Sequence, residues 1–322
     1  MRYVNKETRG QDEGSKVRYD NRLRDLFPLA NSLRDNMRLA TFQSDTGPRV
    51  AAVTVQGFVD LNKADPTLPT SMLELLALGD AGLERARRAS EQAEATTHLP
   101  GKLLAPVPRP GKVICVGLNY ADHAAESGLA IPDEPVIFSK FSTSVCAPED
   151  PIVLPRVSNQ VDYEAELVVV IGAGGRHIPE SKALQHVAGY CCGHDVSARD
   201  WQLAKPGKQW LLGKTFDTFA PFGPYLVTRD ELEDPGNLHI ELRLNGQVMQ
   251  SSSTQQLIFS IPKLVAYISA VCTLEPGDVL FTGTPPGVGM ARKPPVFLQP
   301  GDVVEVEIER LGVLRNTVTA EV

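Results

Sequence analysis

The sequence lacks long hydrophobic runs, has few aromatic residues and carries no large charge of either sign. No apolar segment approaches the roughly 20 residues that a membrane-spanning helix needs, so a membrane protein of the helical type is excluded. Aromatic residues make up 6% of the 322 residues, and the net charge of -7 argues against a surface that binds nucleic acid. We therefore expect neither a membrane nor a nucleic acid as a partner.

Cysteine is also scarce and is not arranged in pairs with metal-binding spacing. The five cysteines include no Cys-x-x-Cys motif, and Cys191 and Cys192 are adjacent, which excludes the common zinc sites. An odd number of cysteines without a spacing pattern is typical of reduced thiols rather than of a disulfide framework. The sequence therefore predicts a cytoplasmic protein.

Composition changes along the chain predict three regions. Residues 1–36 are polar, carry both signs of charge and have no apolar signal core, so we interpret them as a mobile tail and not as a secretory signal or a transit peptide. Residues 37–107 have the pattern of a small α/β lobe, and Met37 is a second possible start. A proline-rich stretch at 105–110 predicts a stiff linker to a larger domain, residues 108–322.

The most informative stretch concentrates carboxylates at the entry to a buried strand. Residues 167–171 form a short β-branched run, typical of a strand buried on both faces. Side chains at alternate positions of a strand share a face, so Asp162, Glu164 and Glu166 are expected to point the same way. Such acids either stay in water or share a cation. Oxygen ligands favour Mg²⁺, with Mn²⁺ or Ca²⁺ possible, whereas the alternative is a solvated acidic strand edge.

A third carboxylate favours the metal interpretation. Asp195 follows a predicted helix at 180–187 and a short apolar stretch, where the chain could return beside the first strand. The alternative is a dinucleotide-binding turn, because residues 168–175 resemble a strand followed by glycines. That pattern fails in detail, since the position of its third glycine is His177 and Pro179 interrupts the turn.

A helix predicted over residues 119–126 carries a second pair of interest. His123 and Glu126 are three residues apart and therefore neighbours on one helical face. A carboxylate beside an imidazole orients it and raises its pKa, which makes a workable acid/base pair. The alternative is an ordinary exposed ion pair.

Several other polar residues follow these elements. Arg199 and Gln202 lie one helical turn apart and could together bind a planar carboxylate. Lys140 and Lys214 add positive charge nearby in the sequence. The loop 284–289, which begins at Thr284, is too rich in proline to start a helix, but its glycines allow a close backbone approach to a small ligand.

Five motifs, in this order, closely resemble the fumarylacetoacetate hydrolase superfamily. They are Gly-Leu-Asn-Tyr-x-x-His-x-x-Glu at 117–126, Asp-Tyr-Glu-x-Glu at 162–166, His-Asp-Val-Ser-Ala-Arg-Asp-Trp-Gln at 194–202, Gly-Lys-Thr-Phe-Asp at 213–217 and Thr-Gly-Thr-Pro-x-Gly at 282–287. The chain from about residue 37 onward looks most like the domain-containing protein 2 branch of that family. The resemblance implies a β-rich α+β fold with a rolled mixed sheet, a bound divalent metal and a homodimer.

The resemblance also implies roles for individual residues. The implied metal ligands are Glu164, Glu166 and Asp195. The implied catalytic residues are His123 and Glu126, an acid/base pair on a lid over the substrate, together with Lys214. The implied substrate-binding residues are Lys140, Arg199, Gln202 and Thr284.

The same resemblance implies the substrate class. Family members act on small 2-oxo dicarboxylic acids through an enolate whose charge lies on the metal. Keto-enol tautomerisation of oxaloacetate is the activity associated with the most similar branch. The alternatives are hydrolysis of a carbon–carbon bond in acylpyruvates or fumarylpyruvate-like acids, decarboxylation of oxaloacetate, and a non-catalytic relative.

Overall fold

The computed structural model describes residues 37–54, 57–93, 98–99, 102–128, 130–232 and 234–322. The predicted mobile tail, residues 1–36, lies outside the described residues. In the described part of the chain, no helix is long and apolar enough to cross a membrane.

The N-terminal part consists of strands and helices, as the pattern of a small α/β lobe predicts. Its elements are β1 (Arg38–Ser44), β2 (Gly47–Thr54), β3 (Gly57–Asp60), α1 (Leu61–Ala64), α2 (Met72–Ala77), α3 (Gly79–Glu91), β4 (His98–Leu99) and β5 (Lys102–Leu104). Asp60 caps α1, because its side chain accepts hydrogen bonds from the backbone N–H groups of Asn62 and Lys63.

The remaining residues form most of the strands and four further helices. The strands are β6 (Val113–Gly117), β7 (Val136–Lys140), β8 (Val145–Cys146), β9 (Ile152–Leu154), β10 (Val161–Asp162), β11 (Ala165–Ile171), β12 (Val187–His194), β13 (Ser197–Ala198), β14 (Ala220–Thr228), β15 (His239–Leu244), β16 (Gln247–Ser253), β17 (Val279–Phe281), β18 (Val303–Ile308) and β19 (Gly312–Ala320). The helices are α4 (Ala121–Ser127), α5 (Arg199–Ala204), α6 (Trp210–Lys214) and α7 (Ile261–Val271).

Most of these strands build a large mixed sheet and a five-stranded sheet, while β10 and β13 pair with each other as a two-stranded sheet. The large sheet has the order β4-β3-β2-β1-β14-β12-β11-β17-β6-β7, with β5 beside β1 and β8 beside β14. A five-stranded sheet, β16-β15-β18-β19-β9, packs against β11, β12 and β14. The predicted β-rich α+β fold is confirmed, and neither sheet closes into a barrel.

Strand β11 is buried on both faces, as predicted from its β-branched run. Leu167, Val169 and Ile171 pack into the core shared with the five-stranded sheet. Val168 and Val170 pack into a second core, which contains residues of the N-terminal lobe. Because side chains alternate along a strand, Glu166 lies on the same face as Val168.

The lobe and the larger region are joined by sheet pairing. Strand β1 pairs with β14, with Leu39 opposite Leu226, so the lobe extends the large sheet. Residues 105–110 connect two parts of one sheet. A domain boundary at residue 107 stays a prediction.

One predicted element differs in kind. The segment expected as an α-helix at 180–187 is a 3₁₀-helix, Glu180–His186. The segment lies between Pro179 and the start of β12 at Val187, which leaves only seven residues. Tight 3₁₀ turns are common connectors, and here they lead from Pro179 into β12.

Candidate metal and active site

The three predicted metal ligands lie together where β11 begins and β12 ends. Antiparallel pairing sets Ala165 opposite His194, which brings the residues flanking Ala165 beside Asp195. The backbone N–H of Asp195 donates to the carbonyl of Glu164 at 2.9 Å. Glu164, Glu166 and Asp195 each offer a carboxylate oxygen within 4.8 Å of the others, and all three residues are buried.

Three cationic side chains surround this acidic group. Lys214 on α6 places its Nζ 2.6 Å from Glu164 Oε2 and 2.8 Å from Asp195 Oδ2. Arg199, the first residue of α5, donates from Nη2 to Glu164 Oε1 at 2.6 Å. Lys140, the last residue of β7, lies with Nζ 2.5 Å from Asp195 Oδ1. Burial makes these contacts strong, because little water screens them.

The two glutamates respond to this environment in opposite directions. Burial opposes the charge on Glu164, but Lys214 and Arg199 outweigh it and lower the pKa of Glu164 to about 2. Burial raises the pKa of Glu166 well above its usual range, and the charges of Asp195 and Glu164 raise it further. Glu166 therefore lacks a sufficient cationic partner among the described residues.

The lysine between the ligands remains charged. Burial lowers the pKa of Lys214, but Asp195 and Glu164 more than offset this effect and raise its pKa to about 12. At neutral pH Lys214 is therefore an ammonium ion and not a base. Its charge can stabilise negative charge on a neighbouring oxygen.

The residues present fit a divalent cation. The donor set consists only of carboxylate oxygens, which are the ligands that Mg²⁺, Mn²⁺ and Ca²⁺ prefer. A cation at this position would remove the repulsion that raises the pKa of Glu166. Glu164, Glu166 and Asp195 would hold it.

Asp162 shares the acidic strand entry but has a different role. Its carboxylate accepts hydrogen bonds from the backbone N–H groups of Gly289 at 2.7 Å and Met290 at 3.0 Å, and from Arg199 Nε at 2.8 Å. These donors use both of its oxygens, which agrees with leaving it out of the ligand set. Asp162 instead fixes the guanidinium that contacts Glu164.

His123 and Glu126 lie on α4, as predicted, and face each other. His123 Nδ1 is 3.3 Å from Glu126 Oε2, and both side chains keep some exposure. The carboxylate of Glu126 also accepts the backbone N–H of Gly287, at 3.0 Å and 3.1 Å from its two oxygens. The helix ends at Gly128, which adopts the left-handed conformation common at helix ends.

Residues 283–287 connect the acid/base pair with the metal site. At one end, the backbone N–H of Gly283 donates to Glu166 Oε2 at 2.8 Å. At the other end, Gly287 donates to Glu126. Gly283 has a φ of 102°, and a Cβ there would meet Asn119 at 2.8 Å, so this position requires glycine. The loop therefore brings α4 close to the start of β11.

The predicted substrate-binding residues are placed in different ways. The Nζ of Lys140 has three protein partners, the carboxylate of Asp195 and the carbonyls of Val196 and Phe219. The two carbonyls accept hydrogen bonds from Nζ, while the carboxylate of Asp195 is its ion-pair partner. Substrate binding by Lys140 stays a prediction. Its observed contacts are those of a residue that orients Asp195.

Arg199 and Gln202 contact each other, as their spacing predicts. Arg199 Nη1 donates to Gln202 Oε1 at 2.9 Å, while Nε and Nη2 bind Asp162 and Glu164. The amide nitrogen of Gln202 and the remaining N–H groups of Arg199 are left as donors for a ligand. Thr284 is buried beside Gly283, and its role in substrate binding also stays a prediction.

Two residues near the site were not found from the sequence. Asn119 is buried and anchors the start of α4, since its side chain binds the backbone of Thr282 at 2.7 Å and of Phe259 at 2.8 Å. Gln250 on β16 contacts Ala165 and Thr284. Only the buried position of Gln250 in a strand could have indicated it, and a single glutamine in a strand is not a specific signal.

Comparison with known proteins agrees with this geometry. Residues 112–319 match the family model described as fumarylacetoacetate (FAA) hydrolase C-terminal. The fold is also that of solved family members. A fumarylacetoacetate hydrolase from psychrophilic Exiguobacterium antarcticum is 38% identical, with a TM-score of 0.75 over 88% of this chain and 100% of that one. The chain belongs to the fumarylacetoacetate hydrolase family, and it is an enzyme.

Within the family, the chain lies in the domain-containing protein 2 branch. It is 52% identical over 288 residues to "Oxaloacetate tautomerase FAHD2A, mitochondrial" of Bos taurus, which covers 88% of this chain and 92% of the relative. It is 47% identical over 302 residues to "Fumarylacetoacetate hydrolase domain-containing protein 2 homolog" of Dictyostelium discoideum, covering 88% and 97%.

The predicted cytoplasmic localisation is contradicted by these relatives. The Bos taurus protein and several others of similar identity are named mitochondrial. The prediction was based on unpaired cysteines, and the five cysteines are indeed free in the structure. Free thiols indicate a reducing compartment, but they do not indicate which reducing compartment it is.

Proposed function

We propose that this enzyme is an oxaloacetate keto-enol tautomerase that requires a divalent cation. The observation that carries the proposal is the link between two groups of residues: the buried carboxylates and the His123–Glu126 pair contact opposite ends of the same loop, residues 283–287. Relatives that are about half identical over most of their length are named oxaloacetate tautomerases.

Mg²⁺ is the proposed cation, with Mn²⁺ or Ca²⁺ as alternatives that the same oxygen donors accept. Glu164, Glu166 and Asp195 would hold it. When bound, it supplies positive charge beside the oxygens of a 2-oxo acid.

The reaction moves one proton and leaves the composition of the substrate unchanged. The hydroxyl at C2 of the enol loses its proton, C3 gains one, and the C2–C3 double bond becomes a C2–O double bond. We assign the proton at C3 to His123. Its Nδ1 faces Glu126, which leaves Nε2 to exchange the proton, and Glu126 orients the ring and stabilises its charged form.

Charge on the C2 oxygen is stabilised by Lys214. Its ammonium group is buried between Glu164 and Asp195 and stays protonated at neutral pH. A fixed charge in a dry site costs no reorganisation when the reaction proceeds. Arg199 and Gln202 bind a carboxylate of the substrate through the N–H groups that their contact with each other does not use. Thr284 contributes a hydroxyl group to the same substrate.

A second candidate is hydrolysis of a carbon–carbon bond in an acylpyruvate or a fumarylpyruvate-type acid. It is favoured by the names of solved relatives, which include a maleylpyruvate hydrolase from Sphingobium. The same residues would then activate water instead of protonating C3. Decarboxylation of oxaloacetate is a third outcome, and it shares the negative charge on the C2 oxygen.

One experiment separates these activities. The ultraviolet absorbance of enol-oxaloacetate is followed after enzyme is added, with Mg²⁺ and with chelator, while pyruvate is measured in the same tube. Rapid loss of enol that requires the metal and produces no pyruvate is expected. Pyruvate appearing in step with the loss of enol identifies a decarboxylase. No change in either overturns the proposal, and acylpyruvates are then the substrates to assay.

A homodimer is the proposed assembly. Strand β7 is an edge of the large sheet and exposes apolar side chains: Val136 is 40% exposed, and the neighbouring Phe141 is 53% exposed. Val271 of α7, which lines a cavity with Ile137 of β7, is 74% exposed. Large apolar patches at a sheet edge mark association sites. Light scattering should give twice the mass of 35.0 kDa, and the mass of one chain would reject the dimer.

A further inference from the structure

Gln250 lies outside the motifs that define the site, yet its side chain connects two parts of it. It is a buried residue of β16, in the five-stranded sheet. Its Oε1 accepts the backbone N–H of Ala165 at 2.8 Å. Its Nε2 donates to the carbonyl of Pro285 at 2.8 Å and to the hydroxyl of Thr284 at 2.9 Å.

Two of these contacts fix the orientation of the amide. A backbone N–H only donates and a backbone carbonyl only accepts, so Ala165 must face the oxygen of Gln250 and Pro285 must face the nitrogen. The direction of the third hydrogen bond follows from this. Gln250 donates, and the oxygen of Thr284 accepts.

The hydroxyl of Thr284 consequently accepts a hydrogen bond from Gln250 and can act only as a donor toward a further partner. A hydroxyl has a single proton, and the contact with Gln250 does not use it. Gln250 is its one hydrogen-bond partner among the residues that the structure describes. The proton of Thr284 is therefore available to an acceptor that is not part of the protein.

Thr284 lies next to a residue that contacts the metal site. Thr284 follows Gly283, whose N–H binds Glu166. Ala165, at the other end of the amide, lies between Glu164 and Glu166. The side chain of Gln250 thus fixes the loop that contains Thr284 relative to the segment that contains Glu164 and Glu166.

We propose that Gln250 is a positioning residue that makes Thr284 a hydrogen-bond donor to an oxygen at the 2-oxo acid end of the substrate. This inference rests on the proposed function, in which a 2-oxo acid binds beside the carboxylates. The arrangement selects ligands by their hydrogen-bonding chemistry. A carboxylate or carbonyl oxygen at this position accepts the proton of Thr284, whereas a ligand group that must itself donate faces a second donor and binds weakly.

The direct test is Gln250→Glu. This substitution keeps the oxygen that accepts from Ala165 but replaces the donor with an acceptor, so the proton of Thr284 turns toward the new carboxylate. The KM for enol-oxaloacetate is expected to rise about 10-fold or more, as for the loss of a hydrogen bond to a charged group, with a smaller change in kcat. Gln247→Glu, at an exposed position of the same strand, adds the same charge and should leave KM unchanged.

A double-mutant cycle with Thr284→Val shows whether Gln250 acts through Thr284. If it does, Gln250→Glu raises KM no further in the Thr284→Val background, and Thr284→Ser retains most of the wild-type affinity. Effects of the two substitutions that multiply would overturn the inference. So would a loss of Mg²⁺ affinity by Gln250→Glu, measured by calorimetry, that accounts for the whole change in KM.

A binding measurement keeps this test separate from the test of the activity. Oxalate presents the carboxylate and adjacent oxygen of a 2-oxo acid and requires no turnover. Its dissociation constant in the presence of Mg²⁺ should rise in Gln250→Glu and Thr284→Val to a similar extent. If wild-type enzyme leaves enol-oxaloacetate unchanged but shows this pattern with oxalate, the tautomerase activity fails and the role of Gln250 stands. Unchanged oxalate binding in both variants rejects the role of Gln250.

Discussion

Two Glu-x-Glu sequences among the described residues have opposite surroundings, one at the entry to β11 and one on β18. Glu164 and Glu166 enter β11 and are 6% and 1% exposed. Glu305 and Glu307 lie on β18, with side chains that are 26% and 41% exposed. Both pairs contact an arginine: Arg199 binds Glu164 at 2.6 Å, and Arg243 binds Glu307 at 2.8 Å.

The difference arises from what covers each strand. Strand β18 has one buried face, formed by Val304, Val306 and Ile308, so its glutamates lie on the face that remains in part open to water. Strand β11 is covered on both faces, and a third carboxylate, Asp195, reaches the same position from β12. A Glu-x-Glu pattern therefore indicates a metal site only where the strand is buried and another element supplies the third ligand.

Replacing one glutamate of the buried pair should have the largest effect. Glu166→Gln is expected to lower kcat/KM for enol-oxaloacetate by about 10³-fold or more, because a bound cation contributes several kcal/mol of charge stabilisation. Calorimetry should show loss of Mg²⁺ binding. In chelator the variant should melt above the wild type, since the substitution removes the repulsion that raises the pKa of Glu166. Retained activity and Mg²⁺ binding would contradict the site.

Replacing a residue of the acid/base pair should have the next largest effect. It should slow the proton transfer without changing metal binding. His123→Asn should lower kcat by about 10²-fold to 10⁴-fold, the usual contribution of a general acid or base. Because the described partners of His123 include Glu126 but none of Glu164, Glu166 and Asp195, Mg²⁺ affinity and melting temperature should remain those of the wild type. A loss of metal binding equal to that of Glu166→Gln would reject this separation.

Replacing Lys214 tests how strongly the buried carboxylates of Glu164 and Asp195 depend on its positive charge. Lys214→Met leaves Glu164 and Asp195 without their shared partner, and breaking such a buried pair costs about 3–5 kcal/mol of stability. Urea unfolding in chelator should show this loss, and Mg²⁺ should reduce it by replacing part of the missing charge. An equal loss with and without Mg²⁺ would mean that the ion binds elsewhere.

The exposed pair should respond least. Glu307→Gln is expected to change the free energy of unfolding by no more than about 0.5 kcal/mol and to leave kcat/KM unchanged, because surface ion pairs contribute little. It is the matched control for Glu166→Gln, with the same chemical change in the same motif. If both substitutions had similar effects, burial would not be what distinguishes the two pairs.

Local patterns predicted much of the fold. The β-branched run of β11 is a strand buried on both faces, and the helix predicted at 119–126 is α4, Ala121–Ser127. The segment at 180–187 was predicted as an α-helix and is a 3₁₀-helix, Glu180–His186, that leads into β12. Its residue types do not distinguish the two kinds of helix.

Within the site, the sequence identified the groups but not their partners. Arg199 contacts Gln202, and His123 contacts Glu126, as the spacing predicted. The members of each pair are three residues apart on one helix and therefore lie on the same face. Lys140 is different. The pattern indicated a cation near the substrate, while the structure gives its Nζ three protein partners, all of them more than 50 residues away.

Residue types at fixed spacing along single elements were sufficient to identify the family, the type of metal ligand and the candidate acid/base pair. The fold was needed to establish that Glu164 and Glu166 are the buried pair, that Lys214 lies between two carboxylates, and that Gln250 reaches Ala165 across 85 residues of chain. These features depend on the packing of one sheet on another. That packing brings together residues whose separation in the sequence carries no periodic or compositional signal.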